Sequence, residues 1–212
     1  MRQRLSRAEQ NDRNRALLLS AALRVFLARG YHAATLEQIA DEAGFSKGAV
    51  YSRFESKADM FLALLTDRIA ERAAENASAV ADLTSSGTVA NLSELAWQAE
   101  RATPGWRLLV TEFRVLAARD PALNSRYAVA HATTVDAIAS VLSAMSERDG
   151  IRLAVPARRL AELLLALETG IALEQLASTD AIDIRQVLVV LRQLAELSAG
   201  PADVISQEVK RS

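Results

Sequence analysis

Residues 35–57 read TLEQIADEAGFSKGAVYSRFESK, and the spacing of their caps and apolar side chains decides the fold of the chain. Leu36, Ile39, Ala40 and Ala43 form an apolar stripe at helical spacing, preceded by Thr35 and with Gln38 three residues after it. A threonine hydroxyl there accepts from the amide three residues on while the glutamine side chain reaches back, so the pair predicts a helix start. Gly44 predicts its end, because a left-handed residue closes a helix without Cβ strain. Ser46 caps the next helix, with Phe45 and Val50 as an apolar clasp across its first turn. Val50 and Phe54, four residues apart, face inward and leave Lys47, Gly48, Tyr51 and Ser52 outside. An outer face that is polar and small is suited to a partner.

Upstream, Leu18, Ala21, Ala22, Val25 and Phe26 predict a helix from Asp12 that ends at Gly30 as a left-handed cap. Residues 1–12 carry Arg2, Arg4 and Arg7 with little apolar content and are expected to be a basic flexible arm. Downstream, Ser56 caps a fourth helix with Asp59 at its third position and Met60, Phe61, Leu64 and Leu65 on its packing face. Residues 13–60 therefore predict a compact tri-helical unit. Turn signals then divide the remainder into helices near 57–80, 88–102, 105–118, 121–147, 157–177 and 182–198, about nine helices in all, with no strand pattern. The expectation is an all-α chain: a tri-helical helix-turn-helix domain of the homeodomain-like kind, a helical domain over 61–198 and a polar tail over 199–212.

Composition narrows the function classes. Alanine and leucine dominate and half of the 212 residues are apolar, which favours helices. There is no cysteine, so neither a disulfide framework nor thiolate chemistry is available. No signal peptide or run of about 20 apolar residues is read in the sequence, which leads to the expectation of a cytoplasmic protein without a membrane partner. Net charge is −1, but residues 1–60 hold ten Arg/Lys against seven Asp/Glu while the rest hold fifteen against nineteen, so the basic end is the N-terminal one.

The last two expected helices carry more apolar surface than one small domain can cover. Leu163, Leu167 and Ile171 on one, and Val187, Leu188, Leu191 and Leu194 on the other, predict an isologous homodimer through a four-helix bundle. The other reading makes both helices central to the monomer's own core.

Helix, turn and a second helix with an exposed polar face is the arrangement that enters a DNA major groove. Lys47 can reach a phosphate or a guanine edge, Gly48 permits close approach, Ser52 can reach a base or phosphate, and Tyr51 can lay its ring on the backbone and donate its hydroxyl to a phosphate. Thr35, Ser46 and Lys57 stand at helix N-termini, whose free amides favour anions. Taken singly, each is an ordinary cap or solvated position; the combination favours DNA. Gly44-Phe45-Ser46-Lys47-Gly48 also matches G-x-S-x-G, but that elbow needs a strand before the serine, so no catalytic residue and no enzyme is expected. His32 and His131 are the two histidines and neither fits a ligand spacing, so neither metal nor cofactor is expected.

Residues 15–65 resemble the DNA-binding region of the TetR family of bacterial transcriptional regulators. The resemblance is carried by Ala21-Ala22, Phe26, Gly30-Tyr31, Thr35, Ile39-Ala40, Ala43 to Gly48, Tyr51 to Phe54 and Ser56-Lys57. Arg53 stands where members usually have histidine and adds a cation beside the DNA face. The resemblance implies a C-terminal helical domain that dimerises through its last two long helices and binds a small-molecule effector, and it implies a repressor on a pseudo-palindromic, double-stranded DNA operator. Trp97, Trp106, Glu112, Phe113, Tyr127, His131 and Glu168, aromatic or polar residues in otherwise aliphatic helices, are candidates to line an effector pocket. A packed core aromatic or a satisfied polar group is the alternative for each. A constitutive or architectural DNA-binding protein, lacking a cavity, is the rival reading.

Overall fold

The computed structural model describes residues 6–82, 105–150, 152–178 and 186–187. Among them are seven helices: α1 (Arg7–Ala33), α2 (Leu36–Ala43), α3 (Lys47–Tyr51), α4 (Lys57–Asp82), α5 (Trp106–Ala117), α6 (Pro121–Asp149) and α7 (Ala157–Ala177). No strand occurs among the described residues. The helix expected at 88–102 lies outside them, as does most of the one at 182–198, of which Gln186 and Val187 are helical.

α1 begins five residues earlier than the sequence predicts, so residues 7–12 of the expected flexible arm are helical. Ser6 accepts from the Glu9 amide at 3.2 Å, and Glu9 Oε2 accepts from the Ser6 amide at 2.7 Å. This reciprocal cap satisfies two amides that a frayed end would leave open. Arg7 and Arg13 thus project from a helix; residues 1–5 lie outside the description.

Gly30 interrupts α1 with φ 73° and ψ 165°, a positive-φ break rather than a left-handed helical cap, and the chain turns once more before α2. Leu18, Ala21, Ala22 and Phe26 on α1 and Ile39 and Ala40 on α2 are fully buried. Val50 from α3 and Met60 and Phe61 from α4 complete this part of the core. Arg15 donates twice to the Asp67 carboxylate, at 2.6 and 3.0 Å, and so pins α1 to α4. The core continues without a break into Leu109, Phe113 and Ala117 of α5 and Tyr127 and Ala130 of α6. The boundary expected at 60/61 therefore falls inside α4, which runs through it unbroken and belongs to both halves. A smaller cluster of Val135, Leu142 and Ala161 joins α6 to α7.

α6 is long and apolar enough, by length and composition alone, to cross a membrane, a property the sequence reading does not register. Here it packs along α4 and α7, with Tyr127, Ala130, Val135, Leu142 and Met145 buried. Asp120 caps it through the amides of Ala122 and Leu123, and Gly150 closes it in the left-handed conformation.

Candidate nucleic-acid interface

The turn between α2 and α3 is built from contacts within six residues. Thr35 Oγ1 accepts from the Gln38 amide at 3.2 Å and Gln38 Oε1 accepts from the Thr35 amide at 3.1 Å. Gly44 adopts φ 70° and ψ 29°, and its amide donates to the Asp41 carbonyl while that of Phe45 donates to Ala40. These paired bonds close α2 as a Schellman turn, which only a residue free of Cβ strain enters cheaply. Ser46, two residues after Gly44, then caps α3: its Oγ accepts from the Ala49 amide at 3.2 Å. Val50 is fully buried and Phe54 nearly so, and these two side chains anchor the short helix from below.

The outer face of α3 is narrower than the eight expected contact residues. Lys47, Gly48, Tyr51, Ser52 and Arg53 are exposed, and so are the caps Thr35 and Ser46. A Cβ on Gly48 would have no heavy atom within 4 Å, and its φ is not positive, so nothing in the chain itself requires glycine there. Tyr51, 48% exposed, does not offer a free hydroxyl: it donates to Glu37 Oε1 at 2.8 Å. That bond holds the Glu37 carboxyl below the usual carboxylate range and pushes the Tyr51 phenol up. Ser52 Oγ donates to the Ala49 carbonyl at 3.0 Å. Arg53 donates to the same carbonyl at 3.0 Å and to Asn11 Oδ1 at 3.1 Å, which closes the end of α3 against the first turns of α1.

Lys57 corrects the expectation of a phosphate grip. Its ammonium donates to the carbonyls of Tyr31, His32 and Ala34 at 2.6, 3.0 and 2.8 Å and lies 4.6 Å from the centre of the Tyr31 ring. A lysine ammonium has three donors, and three backbone acceptors engage them. Burial pulls its pKa below the ordinary lysine value. Its role is to brace the connection between α1 and α2. Sequence reasoning missed Glu37 and Asn11, the partners of Tyr51 and Arg53, since neither contact has a local signature.

The aromatic residues expected around an effector converge elsewhere. Phe113 is fully buried and stacks on Phe61 at 4.3 Å, meets the edge of Tyr31 at 5.1 Å and lies 6.0 Å from Tyr127. Trp106 stacks on Phe61 at 6.1 Å beneath the Arg68 guanidinium, and Tyr127 stacks on His131 at 6.0 Å. These rings are packed core joining α5 and α6 to α1 and α4, which corrects Phe113 in particular as a pocket lining. Burial lowers the pKa of His131, and the Arg114 charge acts in the same direction. Glu112 Oε2 accepts from the Tyr31 amide at 2.8 Å, a structural contact in place of a ligand contact. Glu168 is half-buried on α7, and Trp97 lies outside the described residues.

On α7, Leu163 is 56% exposed and Leu167 half-buried, whereas Ile171 is 8% exposed and faces the chain's own core. Ile171 is therefore corrected as an interface residue. Leu163, Ala166, Gly170, Leu173 and Ala177, all exposed, follow one face of α7. Val187 is half-buried; Leu188, Leu191 and Leu194 lie outside the described residues.

Residues 18–64 match the family model described as bacterial regulatory proteins, tetR family. The tetR-family match is confined to this N-terminal unit. Its match to the transcriptional activator FasR of Mycolicibacterium smegmatis is 52% identical over 54 residues, 26% of this chain and 25% of that protein. The match to the transcriptional repressor BepR of Brucella suis is 44% identical over 62 residues, 29% of each chain. The tetR-family match thus spans little more than a quarter of these relatives' length. Over the larger part of the chain the fold is similar to Salmonella enterica GusR, with a TM-score of 0.65, 21% identity and coverage of 92% of this chain and 98% of that one. It is also similar to Bacillus subtilis FadR, solved in complex with stearoyl-CoA, with a TM-score of 0.64, 14% identity and coverage of 84% and 96%. These two likenesses concern the fold.

Proposed function

We propose that the chain is a homodimeric, ligand-responsive transcriptional regulator that binds a pseudo-palindromic operator through two copies of α3. The observation that carries this reading is the exposed face of α3, where Lys47 and Gly48 stand at the first turn of a helix anchored from behind by Val50 and Phe54. A cation and an open backbone at that turn suit a phosphate and a groove floor. The tetR-family match of residues 18–64 supports it. The apolar face of α7 from Leu163 to Ala177 is the proposed dimer surface, and twofold pairing there would set the two α3 helices about 34–36 Å apart, one turn of duplex.

Repression by occupancy of the operator asks nothing of the chain beyond that contact and is the form of regulation proposed. An effector held among the C-terminal helices would release the DNA by favouring a dimer with another separation. Near-complete release takes about 5.5 kcal/mol of differential affinity.

Selection of bound duplexes from a random-sequence pool tests the proposal. The expected product is an inverted repeat with half-sites one helical turn apart, bound by a dimer in sedimentation. Leu163→Asp should sediment as a monomer and lose the preference for two half-sites. A pool that acquires no repeat, or a Leu163→Asp protein that remains dimeric, refutes the corresponding half of the proposal.

A further inference from the structure

Eighty-one residues separate Tyr31 from Glu112, yet the Tyr31 amide donates to Glu112 Oε2 at 2.8 Å. The reason starts at Gly30. Its φ of 73° takes the chain out of the helical ladder, and the amide that follows finds its acceptor on another helix. A second feature favours glycine at this point: a Cβ there would lie 3.1 Å from Glu112 Oε2 and 3.3 Å from Oε1, tighter than an ordinary contact. Any side chain at residue 30 would push against the carboxylate, so the glycine admits Glu112 as well as the turn.

The same connection is held from its other side. Lys57, at the start of α4, binds the carbonyls of Tyr31, His32 and Ala34. Thr35 follows at once as the cap of α2. The segment that sets the entry of the helix-turn-helix is therefore clamped between α4, through its carbonyls, and α5, through its first amide. α5 carries Phe113 beside Glu112, and the Phe113 ring meets both Tyr31 and Phe61.

We infer that Glu112 is a positioning residue for DNA binding: its carboxylate ties the orientation of α5, in the C-terminal half, to the orientation in which α2 and α3 are presented. This rests on the DNA-binding reading above. A hydrogen bond of this length is lost when the atoms part by about 1 Å, so a small slide of α5 along α1 unfastens the connection between α1 and α2. A carboxylate bond to a backbone amide, half-exposed as here, corresponds to about a tenfold bias in favour of the fastened state. By linkage, whatever displaces α5 lowers DNA affinity, and bound DNA opposes the displacement by the same factor.

The test uses the full chain and a duplex recovered by the wild-type protein from a random-sequence pool. Operator affinity, amide exchange at Tyr31 and melting temperature are measured for wild type, Glu112→Ala, Glu112→Gln and Val110→Ala. Val110 is half-buried on the same helix, and its truncation supplies a destabilised protein with the carboxylate in place. Glu112→Ala is expected to lose protection at the Tyr31 amide and about tenfold in affinity. Glu112→Gln retains an acceptor and should keep most of both; Val110→Ala should melt lower with affinity unchanged. If Glu112→Ala does not fold, Glu112→Asp, one methylene shorter, should show the same pair of losses in weaker form.

Wild-type affinity in Glu112→Ala, an affinity loss with Tyr31 still protected, or an equal loss in Val110→Ala overturns the inference and leaves DNA binding standing. A wild-type protein that recovers no duplex overturns the DNA reading and this inference with it.

Discussion

Gly48→Ala separates what the chain needs at that position from what its partner needs. Gly48 is the second residue of α3, its φ lies outside the positive region, and an added Cβ would have no heavy atom within 4 Å. No steric cost opposes the substitution, and alanine surrenders less backbone entropy than glycine in a helix, by about 0.5–1 kcal/mol. For a chain of this size that corresponds to a melting temperature higher by roughly 1–4 °C. The DNA-bound state responds in the opposite sense. If the α3 backbone lies against a groove wall, a methyl group inserted there overpacks the contact by about 1–3 kcal/mol per subunit. Two subunits on one operator double this to about 2–6 kcal/mol, an affinity loss of roughly thirty- to twenty-thousandfold. A thermal melt and a fluorescence anisotropy titration at fixed salt provide the two readings. A duplex bearing one half-site should show half of the free-energy loss. A more stable Gly48→Ala protein with unchanged affinity would refute the close approach, and a less stable one would refute the open space around residue 48.

The remaining predictions concern residues that the tertiary structure turned away from solvent or tied to a distant helix. Lys57→Met keeps most of the stem and removes the charge, leaving the carbonyls of Tyr31, His32 and Ala34 without their donor; destabilisation of about 1–3 kcal/mol is expected in denaturant melts. The salt slope of DNA binding should match the wild type, and a slope smaller by about 0.9 per subunit would restore Lys57 to the phosphate contacts. Asp59 concerns pH. Burial pushes its pKa up, but hydrogen bonds from Arg126 and Ser56 outweigh this and leave it below the usual carboxylate value. A depressed folded-state pKa contributes stability that is fully present above the unfolded value of about 3.9 and is lost as pH falls through the folded one. The stability difference between wild type and Asp59→Asn should therefore be constant near neutrality and shrink below about pH 4; a difference that grows on acidification would reverse the assignment.

The helix-turn-helix was legible because its determinants act within a few residues. The Thr35–Gln38 box, the Gly44 turn, the Ser46 cap and the inward pair Val50 and Phe54 concern neighbours along the chain, and local composition specifies such contacts. The start of α1 is written in the same code, as Ser6-Arg7-Ala8-Glu9, among arginines whose charge equally suits a solvated arm. What only the tertiary structure decided are the contacts between residues far apart in sequence. A lysine at a helix start has the same signature whether it faces a phosphate or three carbonyls, and only the path of residues 31–34 past Lys57 decided between them. Tyr51 reaches Glu37 on another helix, and the rings from Trp106 to Tyr127 became junction core once α5 lay against Phe61 and Tyr31. The pairing of Gly30 with Glu112 is the furthest case. Each residue alone is ordinary, and the reason for both exists only where the two helices meet, because a hydrogen bond depends on positions in space and not on separation along the chain.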